Sequence, residues 1–295
     1  MKAKKIWFVL NPTSGILKEV DRASLLLSLK DKVLSQNSLA KIIFTEYPNH
    51  AKLITQNALN EGVDLVVAIG GDGTVNECAS VLAGTEVSLG IIPIGSGNGL
   101  ARHLNISMDI EIAINQVING NVQKIDQCSI NQIPFFCTSG VGFDAQVAHA
   151  FAKSSDRGFN TYIKTTFKTF LSYKAQKYQI KIVNQVFDTN AFAITFANAN
   201  QYGNNAMVAP NATINDGWID LCVLKPFPWW RSLEIVIRLF TGSLHRSRYM
   251  EVFRVQNAEV ICESNAMIHF DGEPHQFEIN QLTLEIQKET LNIFC

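Results

Sequence analysis

Leu65-Val66-Val67-Ala68-Ile69-Gly70-Gly71-Asp72-Gly73-Thr74-Val75-Asn76-Glu77 joins an apolar run to a helix-like pattern through a glycine-rich turn. The apolar run, stopped by glycine, reads as a strand. Glycines at 70, 71 and 73 allow backbone conformations closed to other residues and leave peptide N–H groups uncovered, while the helix that follows points its positive end at the same space. That combination makes a phosphate-sized anion site at a strand end. Asp72 would repel a phosphate, so its presence makes chemical sense if a divalent cation lies between the carboxylate and the phosphate oxygens.

Working outward, strand-like runs at about 6–10, 39–44, 64–69 and 88–94 alternate with helical patterns at about 17–36, 49–61, 74–84 and 109–119. This alternation predicts a Rossmann-like parallel α/β domain, and right-handed crossovers would set the carboxyl ends of all four strands on one edge. Those ends carry Asn11 to Gly15, Thr45, Gly70 to Asn76, and Gly95-Ser96-Gly97-Asn98-Gly99. Each glycine loop alone could be a tight turn that binds nothing. Two such loops after consecutive strands put bare amides on one sheet edge, which favours a nucleotide. The GxGxxG spacing and the GxxxxGK[ST] pattern are both absent, so neither a dinucleotide fingerprint nor a P-loop is present.

From about residue 122 the pattern turns β-rich, with runs near 122–130, 134–139, 178–187, 191–197, 218–224, 251–262, 266–270 and 276–287, interrupted by helical text at about 143–174 and 229–244. We expect two domains, residues 1–128 binding nucleotide and residues 129–295 forming an antiparallel, sandwich-like second domain, with the active site in the cleft between them. The 295 residues and 47% hydrophobic content are ample for two cores. A net charge of −1 argues against nucleic acid as a partner. The six cysteines form no CxxC pair or Cys/His cluster, which argues against zinc and for reduced thiols in the cytoplasm. The apolar run after Lys4-Lys5 ends at Asn11-Pro12, too short for a signal peptide, and no stretch is long enough to span a bilayer.

Asn11-Pro12-x-Ser14-Gly15, Gly70-Gly71-Asp72-Gly73-Thr74-x-Asn76-Glu77 and Pro93-x-Gly95-Ser96-Gly97-Asn98-x-Leu100-Ala101 resemble, in this order, the catalytic domain of soluble bacterial diacylglycerol kinases and their sphingosine kinase relatives. The likeness continues through Gly140-Val141-Gly142-Phe143-Asp144-Ala145, Tyr202-Gly203, Ala209-Pro210, Asp216-Gly217-Trp218-Ile219-Asp220-Leu221 and Asp271-Gly272-Glu273, covering nearly the whole chain. The resemblance implies an ATP- and Mg²⁺-dependent lipid kinase of phospholipid biosynthesis. It implies an ATP site built from Asn11 and Thr45, from Gly71, Asp72, Gly73, Thr74 and Asn76, and from Ser96. Asp72 takes part in holding the catalytic Mg²⁺, and Glu273 is the general base. Hydroxyls at Thr74 and Ser96 beside bare amides suit phosphate oxygens.

Glu273 would otherwise read as an ordinary hairpin acid, with Asp271 as its neighbour and competitor. A second, structural cation is implied at Asp216 with the carbonyls of Thr213 and Trp218, against the alternative of a plain Asn-Asp-Gly turn. Asp126 matches an aspartate of the family's metal and water network. Gly99 stands where diacylglycerol kinases often carry an acid, as in the sphingosine kinase pattern.

Two stretches suit a lipid surface. Lys153, Arg157, Lys164, Lys168, Lys174, Lys177 and Lys181 interleave with Phe159, Tyr162, Phe167, Phe170 and Tyr173, and Lys225-Pro226-Phe227-Pro228-Trp229-Trp230-Arg231 precedes Arg238, Arg246 and Arg248. In the first, the plainer reading is that lysines solvate a helix face while aromatics fill the core; the second reads as an exposed anchor. The expected partners are a lipid substrate and, peripherally, the inner face of the membrane, with a homodimer allowed. An NAD kinase is the enzymatic rival, and a nucleotide- and lipid-binding regulator without catalysis is the rival from another class.

Overall fold

The alternating runs of the first 120 residues become four parallel strands and their helices in a computed structural model, which describes residues 5–15, 19–34, 39–153, 159–183 and 185–295. The chain divides into two compact units, Met1–Ile125 with Glu289–Cys295, and Asp126–Lys288.

In the first unit, β1 (Ile6–Leu10), β2 (Ala40–Phe44), β3 (Leu65–Gly70) and β4 (Ser88–Pro93) form a parallel sheet ordered β2-β1-β3-β4. Leu10 lies opposite both Phe44 and Ile69, and Ile69 opposite Ile92, so the strands end almost in line. Helices α1 (Glu19–Leu29), α2 (His50–Asn60), α3 (Asp72–Leu82), α4 (Gly99–His103) and α5 (Ile110–Asn119) follow the strands. Helix α3 buries Val75, Cys78, Ala79 and Leu82, the i, i+3, i+4, i+7 stripe that sets its apolar face on the sheet. Strands β3 and β4 are buried along their whole length, which explains their uninterrupted apolar text.

The second unit carries β5 (Val122–Ile130, beginning in the first unit), β6 (Ile133–Phe135), β7 (Thr138–Gly142), α6 (Phe143–Ala152), α7 (Phe159–Ser172), β8 (Gln176–Ile182), β9 (Gln185–Ala191) and β10 (Ala193–Ala197). They are followed by β11 (Ile219–Leu224), α8 (Ser232–Phe240), β12 (Met250–Val255), β13 (Ala258–Cys262), β14 (Met267–Phe270), β15 (Glu273–Gln276) and β16 (Gln281–Phe294). One antiparallel sheet runs β12-β11-β10-β7-β14-β15; β13 pairs with β8 and with the first part of β16 in another layer. Phe135, Ile180, Phe196, Leu221 and Leu282 fill the core between them, as in a β-sandwich.

Three details differ from the sequence reading. The run 251–262 is two strands that belong to different sheets, β12 pairing with β11 and β13 with β8 and β16. Gly99, read as the end of a glycine-rich loop, instead opens a short helix, Gly99–His103. The tail Glu289–Cys295, assigned by sequence to the second domain, belongs to the first unit, where Ile293 pairs in parallel with Leu89 and Leu291 and Ile293 are fully buried. Glu289 turns left-handed (φ 53°) where β16 changes units. Periodicity within one strand cannot tell which sheet each half joins.

Candidate active site

The four strand ends of the first unit are tied to one another by their backbones. Asn11 N–H donates to the Ile69 carbonyl at 2.9 Å, Thr45 N–H to Leu10 at 2.9 Å, and Ile94 N–H to Gly70 at 3.0 Å. The loops beyond them meet through glycine. A Cβ on Gly95 would lie 2.4 Å from the Gly71 Cα, and one on Gly15 would lie 1.7 Å from the Ile94 carbonyl oxygen. Only bare backbone permits this approach, so the segments after β1, β3 and β4 form one surface, with Thr45 beside it at the end of β2.

Helix α3 begins at Asp72, so Asp72, Gly73 and Thr74 make its first turn. Its N-cap is Gly71, which brings no side chain to cap the helix. The first N–H groups of a helix lack intrahelical acceptors, and a phosphate at this end would take the place of the missing cap. Ser14 Oγ accepts the Gly71 N–H at 3.3 Å. Thr74, buried, accepts from Asn11 Nδ2 at 3.1 Å and keeps its own hydroxyl proton to donate. Gly70 makes room for it, since a Cβ there would lie 2.5 Å from Thr74 Oγ1. Asp72, half-buried, carries its carboxylate in the helix's first turn, where the macrodipole favours negative charge. Asn76 faces partly outward one turn along, and Ser96 lies between Gly95 and Gly97 in the loop after β4.

Two residues were not singled out from sequence. The Glu77 carboxylate accepts the N–H groups of Asn49 (3.1 Å) and Lys52 (3.3 Å), so it caps α2 and fixes that helix to α3. Asn98, left-handed (φ 53°), gives Nδ2 to the Gly95 carbonyl at 2.8 Å, while its buried Oδ1 has no hydrogen-bond partner among the described residues. The motif text contained both residues, but their partners are distant in sequence or absent. An unpaired buried acceptor behind the Gly95 loop fits a place where a ligand or its water completes the hydrogen bonding.

Among the described residues no group of three or more His, Cys, Asp or Glu side chains is arranged to hold a metal. Mg²⁺ commonly takes one or two carboxylates and completes its shell with phosphate oxygens and water. Asp72 fits that role.

In the second unit, Asp271 and Gly272 form the turn of the β14–β15 hairpin with φ of 49° and 88°, and Glu273 opens β15 opposite Phe270. Asp271 is buried, and its carboxylate accepts the N–H groups of Phe136, Cys137 and Thr138 at 2.8–3.0 Å. It fastens the hairpin to β7, leaving Glu273 as the exposed acid of the turn. Beside the hairpin, Asp144 Oδ2 accepts from Thr195 Oγ1 at 3.0 Å and from Tyr202 at 3.3 Å, and lies 3.4 Å from His269 Nε2. The glycines of Gly140-Val141-Gly142 make this possible, since a Cβ on Gly140 would meet Asp144 Oδ2 at 2.3 Å.

Asp126 is fully buried, its carboxylate accepting the Gly217 N–H at 2.7 Å. Asp216 accepts the Trp218 N–H at 2.9 Å and is ion-paired to Arg254, which also stacks over Trp218. Thr213 lines the same depression. Arg254 balances the acid of this turn, and Thr213, Asp216 and Trp218 are the residues that would hold a second cation. This charge partner sits on β12, opposite Asp220 of the neighbouring strand, where local sequence could not reveal it.

Comparison with known proteins bears on the whole chain. A family model described as the diacylglycerol kinase catalytic domain matches residues 5–130, and one described as a YegS C-terminal NAD kinase beta sandwich-like domain matches residues 138–295. A diacylglycerol kinase of Staphylococcus saprophyticus is 29% identical, with 92% of this chain and 89% of that protein aligned. A protein of Synechocystis is 28% identical over 83% of this chain, which spans only 59% of that relative's length. The crystal structure of a diacylglycerol kinase from Bacillus anthracis superposes with a TM-score of 0.75 at 18% identity, covering 100% of this chain and 97% of that one, and so shares the fold. From the glycine loops of the first unit to the Asp-Gly-Glu hairpin of the second, this chain belongs to the diacylglycerol kinase-like family of lipid kinases.

Proposed function

We propose that the chain transfers the γ-phosphoryl group of ATP, with Mg²⁺, to the hydroxyl of a lipid alcohol such as diacylglycerol or a sphingoid base. The observation that carries this is the Gly71–Gly95 approach, which aligns an uncapped helix start, the Thr74 hydroxyl and the Asp72 carboxylate along one edge. Asn11, Thr45, Gly73, Asn76 and Ser96 complete the nucleotide-binding surface in this reading. Phosphoryl transfer needs in-line positioning and charge neutralisation more than covalent help from the protein. Mg²⁺ held by Asp72 would neutralise the charge on the β- and γ-phosphate oxygens.

The acceptor oxygen forms a bond to the γ-phosphorus as the bond to the β-phosphate oxygen breaks, and ADP leaves. Glu273 takes the acceptor's proton, a contribution of typically ~10²–10⁴-fold. Asp271, engaged with three backbone amides, is unsuited to that task. Asp126, which holds Gly217, orders the Asp216 turn. The protein works peripherally at the cytoplasmic face of a membrane, where its acceptor resides; no described helix is long and apolar enough to cross a bilayer.

The similarity of residues 138–295 to a YegS C-terminal NAD kinase beta sandwich-like domain favours one rival, phosphorylation of NAD. Incubation with γ-labelled ATP, Mg²⁺, NAD and a panel of lipid alcohols, resolved by mass, separates the two. We expect label in a lipid monophosphate. Label in NAD phosphate would support the rival, and ATP binding without any labelled product would support a regulator.

A further inference from the structure

The two aromatic and basic stretches, distant in sequence, come together in the fold of the second unit. Phe170 of α7 stacks on Phe227 just before α8, with ring centroids 6.3 Å apart and planes 18° from parallel, and Phe192 touches both rings. These buried and half-buried rings satisfy the plainer expectation for Phe170 and Tyr173, which packs on Phe192. The outer side of the same elements is different. Trp229 is 74% exposed, Trp230 65% and Leu233 68%, and Val236, Ile237 and Phe240 are exposed as well.

Residues 233, 236, 237 and 240 fall at i, i+3, i+4 and i+7, so α8 has a complete apolar stripe facing solvent. Its other side is apolar too, with Ile235 in the core and Leu239 packed against it. On α7, Phe167 and Leu171 are 64% and 70% exposed. An apolar face of this extent marks a docking surface rather than scattered exposed residues.

Charge selects the occupant. Between residues 225 and 248 there are five Lys and Arg against one acid, and between 159 and 177 four lysines and no acid, in a chain whose net charge is −1. The single acid, Glu234, is already shared by Arg231 and Arg238. A second copy docking by this same face would set basic residues against basic residues. A surface that is apolar at the tip, rich in tryptophan and ringed by cations matches an anionic bilayer, which offers hydrocarbon below its phosphates.

We propose that α7 and the Trp229–Phe240 segment form a single face that inserts into anionic membrane, with Trp229, Trp230, Leu233 and Phe167 entering the headgroup boundary. This deepens the reading of the protein as a lipid kinase, and rests on it for the origin of the acceptor.

The test uses the full chain and the variant Trp229→Ser/Trp230→Ser, with vesicles of phosphatidylcholine containing phosphatidylglycerol. Wild type should sediment with these vesicles and less with phosphatidylcholine alone, and raised salt should weaken binding. The variant should lose about tenfold or more in affinity for each tryptophan. A short-chain lipid alcohol dissolved below its micelle concentration should be phosphorylated equally by both proteins, while turnover of vesicle-embedded acceptor should fall in the variant. Equal vesicle binding by the two proteins, no binding by wild type even in low salt, or a dimer by light scattering that the variant abolishes would each overturn the proposal. If neither protein phosphorylates the short-chain acceptor, the kinase reading fails while the vesicle assay still decides the membrane face.

Discussion

Replacing Gly95 with alanine is the sharpest perturbation of the loop surface. The new Cβ would sit 2.4 Å from the Gly71 Cα and 2.7 Å from Asn98 Oδ1, where ordinary contact begins at 3.4 Å. The first neighbour is backbone and has no rotamer to retreat into, so the loops after β3 and β4 must part by about 1 Å. Overpacking of this kind costs about 1–3 kcal/mol of stability. A displacement of that size in a phosphate-positioning site lowers kcat/KM by roughly 100-fold. The assay is kcat/KM for ATP at saturating acceptor, alongside the thermal midpoint. Gly62→Ala is the control: Gly62 has φ +65° and open space around it, so the change adds backbone strain of about 1–2 kcal/mol without moving the loops. Comparable destabilisation in both variants, with activity lost only in Gly95→Ala, is the expected result. Gly95→Ala with activity within twofold of wild type would refute the claim that the Gly71–Gly95 approach sets the site.

Other outcomes follow from individual side chains. Asp271→Asn sets an amide NH₂ against a ring of three backbone donors and should lower stability by about 2–4 kcal/mol in urea unfolding. Glu273→Gln should unfold like wild type yet lose ~10²–10⁴-fold in turnover; the reverse pattern would exchange their roles. Burial holds the Asp220 carboxyl above its ordinary value, with Arg254 opposing and Asp216 adding to the effect. The folded state then binds more protons than the unfolded in the interval above that ordinary value, so this group costs stability as pH rises through it. Asp220→Asn should therefore raise the midpoint at pH 7, by a margin that shrinks as pH falls toward 4. Burial pushes the Cys78 thiol up to about 12, and all cysteines except Cys295 are buried. A thiol reagent should label Cys295 alone in the native protein and all six cysteines after unfolding.

The parallel sheet was legible because its signals are local. Buried strands such as β3 and β4 spell continuous apolar text, and α2 and α3 repeat their apolar residues at helical spacing. The glycine loops could be placed on one edge because connection handedness fixes where strands end. What escaped the sequence reading depends on partners far along the chain. Arg254 matches Asp216 from a neighbouring strand, and Asp271 meets the amides of residues 136–138 only after β14 pairs with β7. Asn98 reads as one more polar residue in a glycine loop until burial of its Oδ1 shows an acceptor without a donor. The stretch around Trp229 and Trp230 was legible as an exposed anchor, and the fold adds that Leu233, Val236, Ile237 and Phe240 face water beside it.

Titration calorimetry with ATP, in the presence and absence of Mg²⁺, tests whether the loops after β1, β3 and β4 hold a triphosphate beside Asp72. We expect saturable binding that is strengthened by Mg²⁺ in the wild type, and an Asp72→Ala variant that folds normally but no longer responds to the metal. Absence of ATP binding by the folded wild-type protein with Mg²⁺ present would contradict the account.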